Sequence, residues 1–368
     1  MIESRVVALC TAEATFLNNL ILAKEHAKKY HGTLWIPELA SKLLKHGVKM
    51  VTGDVALQMI KNGEIKANNV LVIREDLCSQ AEELLRLGAK GKVLLCGESP
   101  LFANSFYQSL SILSKSFEHC IVFRGTAKDA IPILETHTLY FPSYEMTDLR
   151  DSCQWESRKY LVMIAGNKYW RIRRSSIRKV AAKIRDVVLR KPRRFSKKYA
   201  SLQLHDERLK AISYFGGKGL LDLYGDGWES LKNLPINWQR ALSTIMTKIN
   251  PTHCPDKLST IAEYKFALCF ENIKFPGYVT EKLIHCMVAG VIPIYWGAPD
   301  IQDFVPPECF INGSEYRSLE MLEAHLETIS ELEWSKVVNY GRDFLKSRNG
   351  KQYSYSVFAE QMESMLIS

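Results

Sequence analysis

Short apolar runs alternate with stretches of helical spacing along most of the chain. Arg5-Val-Val-Ala-Leu-Cys10 reads as a buried strand, and Leu17, Leu20, Ile21, Ala23 and Ala27 share one side of a helix expected from about Thr15 to Lys29. Pro37 to His46 has an amphipathic helical pattern, Gly47 is its expected stop, and Val48-Lys-Met-Val-Thr52 is the next strand. The rhythm repeats as strand Asn69-Val-Leu-Val-Ile73, helix Ser79 to Leu87, stop at Gly88, and strand Lys92-Val-Leu-Leu-Cys96. Such alternation predicts βαβ units and a parallel sheet.

A second series starts at Tyr160-Leu-Val-Met-Ile-Ala165. It runs through helix His205 to Phe215, strand Leu220 to Tyr224, strand Lys265 to Phe270, helix Thr280 to Ala289 and strand Val291 to Tyr295. Two consecutive halves of this kind predict an α/β chain of two Rossmann-like domains facing a central cleft, with ligands beyond the carboxyl ends of the strands. The expected division is 1–150, 151–345 and a closing helical segment, 346–368. No G-x-G-x-x-G occurs, so a dinucleotide site is not indicated.

Composition adds one feature. The 368 residues carry a formal charge of +9, yet the 31 residues from Lys168 to Lys198 hold 14 bases against one acid, Asp186. That window alone is +13, which leaves −4 for the other 337 residues. A whole-surface nucleic-acid binder is therefore not expected. Nine cysteines without a paired framework point to reduced thiols and a cytosolic setting. The chain has no apolar run of about 18 residues to span a membrane, and its first residues do not read as a secretory signal.

The chemistry concentrates in Tyr264 to Pro299. An apolar strand ends in the polar pair Glu271-Asn272, a loop carries Pro276 and Gly277, and a helix begins after Thr280, a good N-cap. Lys282 in the first turn opposes the helix dipole, and an anionic ligand at the helix N-terminus would account for it. An ordinary capped helix with solvated charges is the alternative.

Phe270-Glu-Asn272, Tyr278-Val-Thr-Glu-Lys282, Ala289-Gly-x-x-Pro293 and Tyr295-Trp-Gly297 together resemble the α1,3-fucosyltransferase family (glycosyltransferase family 10, bacterial type). Asp256-Lys-Leu258, Glu207 to Ile212, Leu223-Tyr-Gly225 and Gly97-Glu-Ser-Pro100 are similar to further blocks, so the likeness runs over most of residues 92–312. The resemblance implies a GT-B fold and inverting transfer of L-fucose from GDP-β-L-fucose to a hydroxyl of a GlcNAc- or glucose-containing glycan. No cofactor and no metal are expected, and no Asp-x-Asp is suitably placed.

The family likeness puts the general base at Glu98, flanked by Ser99-Pro100; otherwise Glu98 would read as a loop carboxylate in solvent. It puts Lys282 and Arg208 at the donor phosphates, where a guanidinium fork suits phosphate. As a plain sequence position Arg208 reads as an exposed helix residue. Asn272, Tyr278 and Glu281 would hold the nucleotide-sugar, although Tyr278 also fits a core position. Asn167, after the first strand of the second series, is a further donor-side candidate. Ile273 departs from the family's usual Ser, and Gly277 from a frequent Asp.

Two other readings remain. One is a GT-B transferase using another nucleotide-sugar. The other gives the function to 168–198, where Ile177, Val180, Ala181, Ile184, Val187 and Val188 share one face of a basic amphipathic helix. Such a helix would dock on an anionic membrane, giving a cytoplasmic enzyme that is peripheral on the inner face, or it is a solvated basic face.

Overall fold

The computed structural model describes residues 5–126, 135–149, 154–167, 197–249, 251–254 and 256–367. Apart from the backbone of its last two residues, the basic segment 168–198 lies outside them, and with it the membrane-docking reading. The chain divides into two compact units, Met1–Glu145 with Lys351–Ser368, and Met146–Gly350.

In the first unit, β1 (Val6–Cys10) is followed by α1 (Trp35–Lys45), β2 (Lys49–Thr52), α2 (Gly53–Lys61), β3 (Val70–Glu75), α3 (Ser79–Arg86), β4 (Lys90–Leu95), α4 (Asn104–Leu113), β5 (Phe117–Val122) and β6 (Glu135–Thr138). All described pairings are parallel, in the order β2-β1-β3-β4-β5-β6. Val6, Ala8, Val70, Val72 and Leu94 are buried in the core that α2, α3 and α4 cover. Strands this apolar suit a sheet covered on both faces.

One expected helix is absent as such. Residues 15–29 form two 3₁₀ turns and a single helical turn, because Asn18 and Asn19 take left-handed backbone with φ of 54° and 61°. The Asn19 side-chain oxygen accepts from the Thr52 N–H at 2.8 Å, so this break anchors the segment to the end of β2. Asn tolerates that conformation better than other non-glycine residues.

The second unit holds β7 (Lys159–Ile164), α5 (His205–Gly217), β8 (Leu221–Tyr224), α6 (Ile236–Ile249), α7 (Lys257–Ala262), β9 (Tyr264–Phe270), α8 (Glu281–Ala289), β10 (Ile292–Trp296), β11 (Ile311–Asn312), α9 (Leu319–Thr328) and α10 (Glu331–Lys346). Its sheet runs β11-β10-β9-β7-β8, again parallel. The first strand therefore sits between the second and the third. In such a sheet the switch point lies between first and third strands, here β7 and β9, and ligands bind outside their carboxyl ends.

The last helix, α11 (Tyr355–Ile367), belongs to the first unit. Phe358 meets Trp35 of α1 edge-on at 5.0 Å between ring centroids, and Lys42 and His46 pair with Glu360 and Glu363. Among the described residues no helix is long and apolar enough to cross a membrane.

Candidate active site

Five of the sequence-expected residues meet around the end of β9. The strand stays apolar through Phe270 and then delivers Glu271, whose carboxylate is fully buried. A carboxylate taken from water needs partners. It accepts from the Thr280 N–H at 2.8 Å, from the Thr280 hydroxyl at 2.8 and 2.9 Å, and from Lys282 Nζ at 2.9 Å. Thr280 is the N-cap of α8, as its sequence suggests, but its side chain caps nothing; the hydroxyl serves Glu271 instead.

Glu271 gives Lys282 the partner that the helix dipole denies it. Burial pulls the Lys282 ammonium down, and the charges of Glu271 and Glu281 outweigh it, so the net direction is upward. Glu281 is held in turn by Lys257, the first residue of α7, at 3.0 Å. Lys257 escapes sequence reasoning because its partner lies 24 residues away and only the packing of α7 against α8 joins them.

Arg208 is not the exposed helix residue its position suggests: it is 7% exposed. From α5 its Nε and Nη2 donate to the Phe270 carbonyl at 3.0 and 2.5 Å, and Nη2 also donates to Asn272 Oδ1 at 3.0 Å. The helix after β7 thus reaches across the switch point to the end of β9. Among the described residues Nη1 has no hydrogen-bond partner. Burial lowers the guanidinium pKa, against the pull of Glu271, Tyr278 and Glu281.

Asn272 links Arg208 to Tyr278, donating from Nδ2 to the phenol oxygen at 3.2 Å. Tyr278 is 2% exposed, so it is a core residue and also a member of this network. Ile273, the departure from the family pattern, is fully buried, which an apolar side chain satisfies. Gly277 has φ of +72°, where any residue with a Cβ is strained, and its N–H donates to Asp300 at 2.7 Å. Gly297 faces the Tyr295 hydroxyl and the Glu271 side chain so closely that a Cβ would not fit.

The other two expected residues lie apart from this network. Asn167, 6% exposed, donates to the carbonyls of Gly227 and Ser230 at 3.1 and 3.4 Å, bracing the loop after β7. Glu98 belongs to the first unit. It is half-buried just past β4, with Oε1 accepting from the Ser99 N–H at 2.8 Å and its carbonyl accepting from the Tyr107 hydroxyl at 3.1 Å. The Ser99 carbonyl accepts from Phe102 and Ala103 N–H groups in the turn that leads to α4, so the backbone around Glu98 is fixed. A separate cavity of about 630 Å³ in the second unit, edged by Tyr214, Trp238, Trp296 and Tyr316, is lined by none of these seven residues.

Around Glu271, three cations (Arg208, Lys257 and Lys282) face two carboxylates at the N-terminus of α8. The balance is one positive charge in excess, at the end of the helix that carries positive partial charge. That arrangement favours an anion.

Residues 219–342 match the family described as glycosyltransferase family 10 (fucosyltransferase), C-terminal domain. This stretch belongs to glycosyltransferase family 10. The family 10 stretch includes Asn272, Tyr278, Glu281 and Lys282, while Glu98, Asn167 and Arg208 lie outside it. The chain is similar to an α-(1,4)-fucosyltransferase of Arabidopsis thaliana, 40% identical over 79 residues, or 22% of this chain and 18% of that protein. It is also similar to the α-(1,3)-fucosyltransferase FucT of Helicobacter pylori, 31% identical over 100 residues, or 27% of this chain and 21% of that one. The chain thus spans about a fifth of the length of these two relatives. A solved glycosyltransferase from Rickettsia africae ESF-5 matches over 99% of both chains with a TM-score of 0.59 and 9% identity, a likeness of fold. With the two parallel sheets, it identifies the fold as GT-B type, two Rossmann-like units.

Proposed function

We propose that the chain is an inverting fucosyltransferase that moves L-fucose from GDP-β-L-fucose to a hydroxyl of a GlcNAc- or glucose-containing glycan, in an α1,3-type linkage. The observation that carries this reading is the excess positive charge at the N-terminus of α8, where Arg208, from outside the family 10 stretch, adds to the two Lys–Glu pairs within it. A diphosphate is the anion it suits, and the fucosyltransferase relatives supply the sugar.

In the proposed reaction the Glu98 carboxylate takes the proton of the acceptor hydroxyl as its oxygen attacks the anomeric carbon of fucose. The bond from that carbon to the β-phosphate oxygen breaks on the opposite face, and GDP leaves with the electron pair. The growing charge on the diphosphate is met by Lys282 and by the Nη1 edge of Arg208, fixed cations in a largely water-excluded setting where they count for most. Lys257 adds a third, indirect contribution by holding Glu281. Asn272, Tyr278 and Glu281 orient the nucleotide-sugar; Asn167 serves the donor side only by bracing the loop after β7. Cations and helix N–H groups do the neutralising, so the proposal calls on no cofactor.

Glu98→Ala tests the base. Losing a positioned base lowers transfer by about 10²–10⁴-fold. Calorimetry with GDP-fucose should give unchanged donor binding for the same variant. Undiminished transfer would remove Glu98 from the mechanism.

A further inference from the structure

The edge of the first sheet carries a cluster that fucosyl transfer does not use. β6 reads Glu135-Thr-His-Thr138 and pairs in parallel with β5, His119 opposite Glu135 and Ile121 opposite His137. Side chains alternate along a strand, so Glu135 and His137 lie on one face, the face that His119 also occupies. Three donor atoms converge there. His119 Nδ1 is 3.4 Å from Glu135 Oε2 and 3.4 Å from His137 Nε2, and His137 Nε2 is 3.8 Å from Glu135 Oε1.

Two of those three spacings match a zinc site. Ligands about 2.0–2.1 Å from a tetrahedral Zn²⁺ stand about 3.3–3.4 Å from one another. Without an ion the same groups pair with one another, the two rings through a hydrogen bond and each ring with Glu135. Among the described residues this is the one group of three with metal-ligand spacing.

We propose that His119, Glu135 and His137 bind one divalent transition-metal ion, Zn²⁺ foremost, with the fourth position open to solvent. Two imidazoles and one carboxylate suit zinc and its first-row neighbours, whereas Mg²⁺ and Ca²⁺ prefer all-oxygen shells. The histidine side chains are 15% and 22% exposed, which fixes the rings, while Glu135 at 68% has room to close on the ion. The ion would fasten β6, the edge strand among the described residues, to β5.

The test uses the full chain, stripped of metal by chelator and freed of the chelator. Titration with Zn²⁺ at pH 7.5 should give one equivalent bound, with a rise in melting temperature. Co²⁺ in its place should give the visible spectrum of a tetrahedral nitrogen–oxygen site. His119→Ala and His137→Ala should each weaken Zn²⁺ binding by at least about 100-fold, because even outer-shell partners are worth 10–100-fold. Glu135→Gln, at an exposed position that folding does not need, should weaken it by at least about tenfold. Cys254, the half-exposed thiol among the described residues, is a competing ligand. A cobalt spectrum with thiolate charge transfer, no Zn²⁺ bound at micromolar concentration, or binding unchanged by Glu135→Gln and by either histidine variant would overturn the proposal.

Discussion

Lys282 is where sequence and structure explain each other best. A cation in the first turn of a helix is an anomaly, and that anomaly is legible without coordinates. Its partner is not, because Glu271 reads as the polar end of a strand and nothing local reveals that its carboxylate is fully buried. The pair sets up a specific expectation. Lys282→Met leaves Glu271 buried without its cation and should destabilise the protein by about 3 kcal/mol in urea denaturation, as broken buried pairs do. It should also weaken GDP binding. Adding Glu271→Gln should restore most of the stability and none of the GDP affinity. Stability and GDP affinity both equal to the parent's would contradict the role given to Lys282. Arg208 teaches the opposite lesson. Its sequence position suggests solvent, and only the fold reveals that its guanidinium caps the end of β9.

At the scale of elements, strands were the most legible because buried parallel strands are continuous apolar runs bounded by turns, as at Val70–Glu75 and Tyr264–Phe270. Legibility failed where backbone conformation overrode periodicity. The apolar spacing of Leu17, Leu20 and Ile21 is helical, yet Asn18 and Asn19 turn the chain left-handed. It failed also where elements abut, since β2 runs straight into α2 at Gly53 with no loop to mark the change. The departures at Ile273 and Gly277 fit their own elements, one in the core and one at a positive φ. The end of β3 carries a prediction of its own. Burial raises the Glu75 carboxyl from its ordinary 4.5 to about 7, with Thr11 opposing and the charges of Asp76 and Glu13 adding to the rise. The folded state then binds the proton more tightly than the unfolded chain does. The contribution is fully present below about pH 4.5 and is lost as pH rises through about 7. Glu75→Gln should flatten this decline in urea unfolding measured from pH 4.5 to 8. An undiminished slope in the variant would assign the pH dependence elsewhere.

Across the whole molecule, each unit's sheet sets its first strand between its second and its third, and the second unit gathers five of its six candidate residues around the end of β9. The alternation of strands and helices foretells two parallel-sheet units, while the order of strands within each sheet comes from the fold alone. The charge balance follows less directly. The +9 formal charge arises from 168–198, whereas the cations assigned to the donor phosphates, Arg208 and Lys282, and the supporting Lys257 all lie in the remainder that nets −4. In the proposed reaction the diphosphate charge is met by cations held by packing, not by the basic composition. The most direct test of the central claim is transfer itself. The purified chain is incubated with GDP-fucose, or with other GDP- and UDP-sugars, and a panel of GlcNAc- and glucose-containing glycans that includes N-acetyllactosamine. Products are read by mass spectrometry and the new linkage by NMR. One fucose added in α linkage, with GDP released and only with the GDP-fucose donor, is the predicted result; no product from GDP-fucose, or efficient transfer from a different nucleotide-sugar, would contradict it.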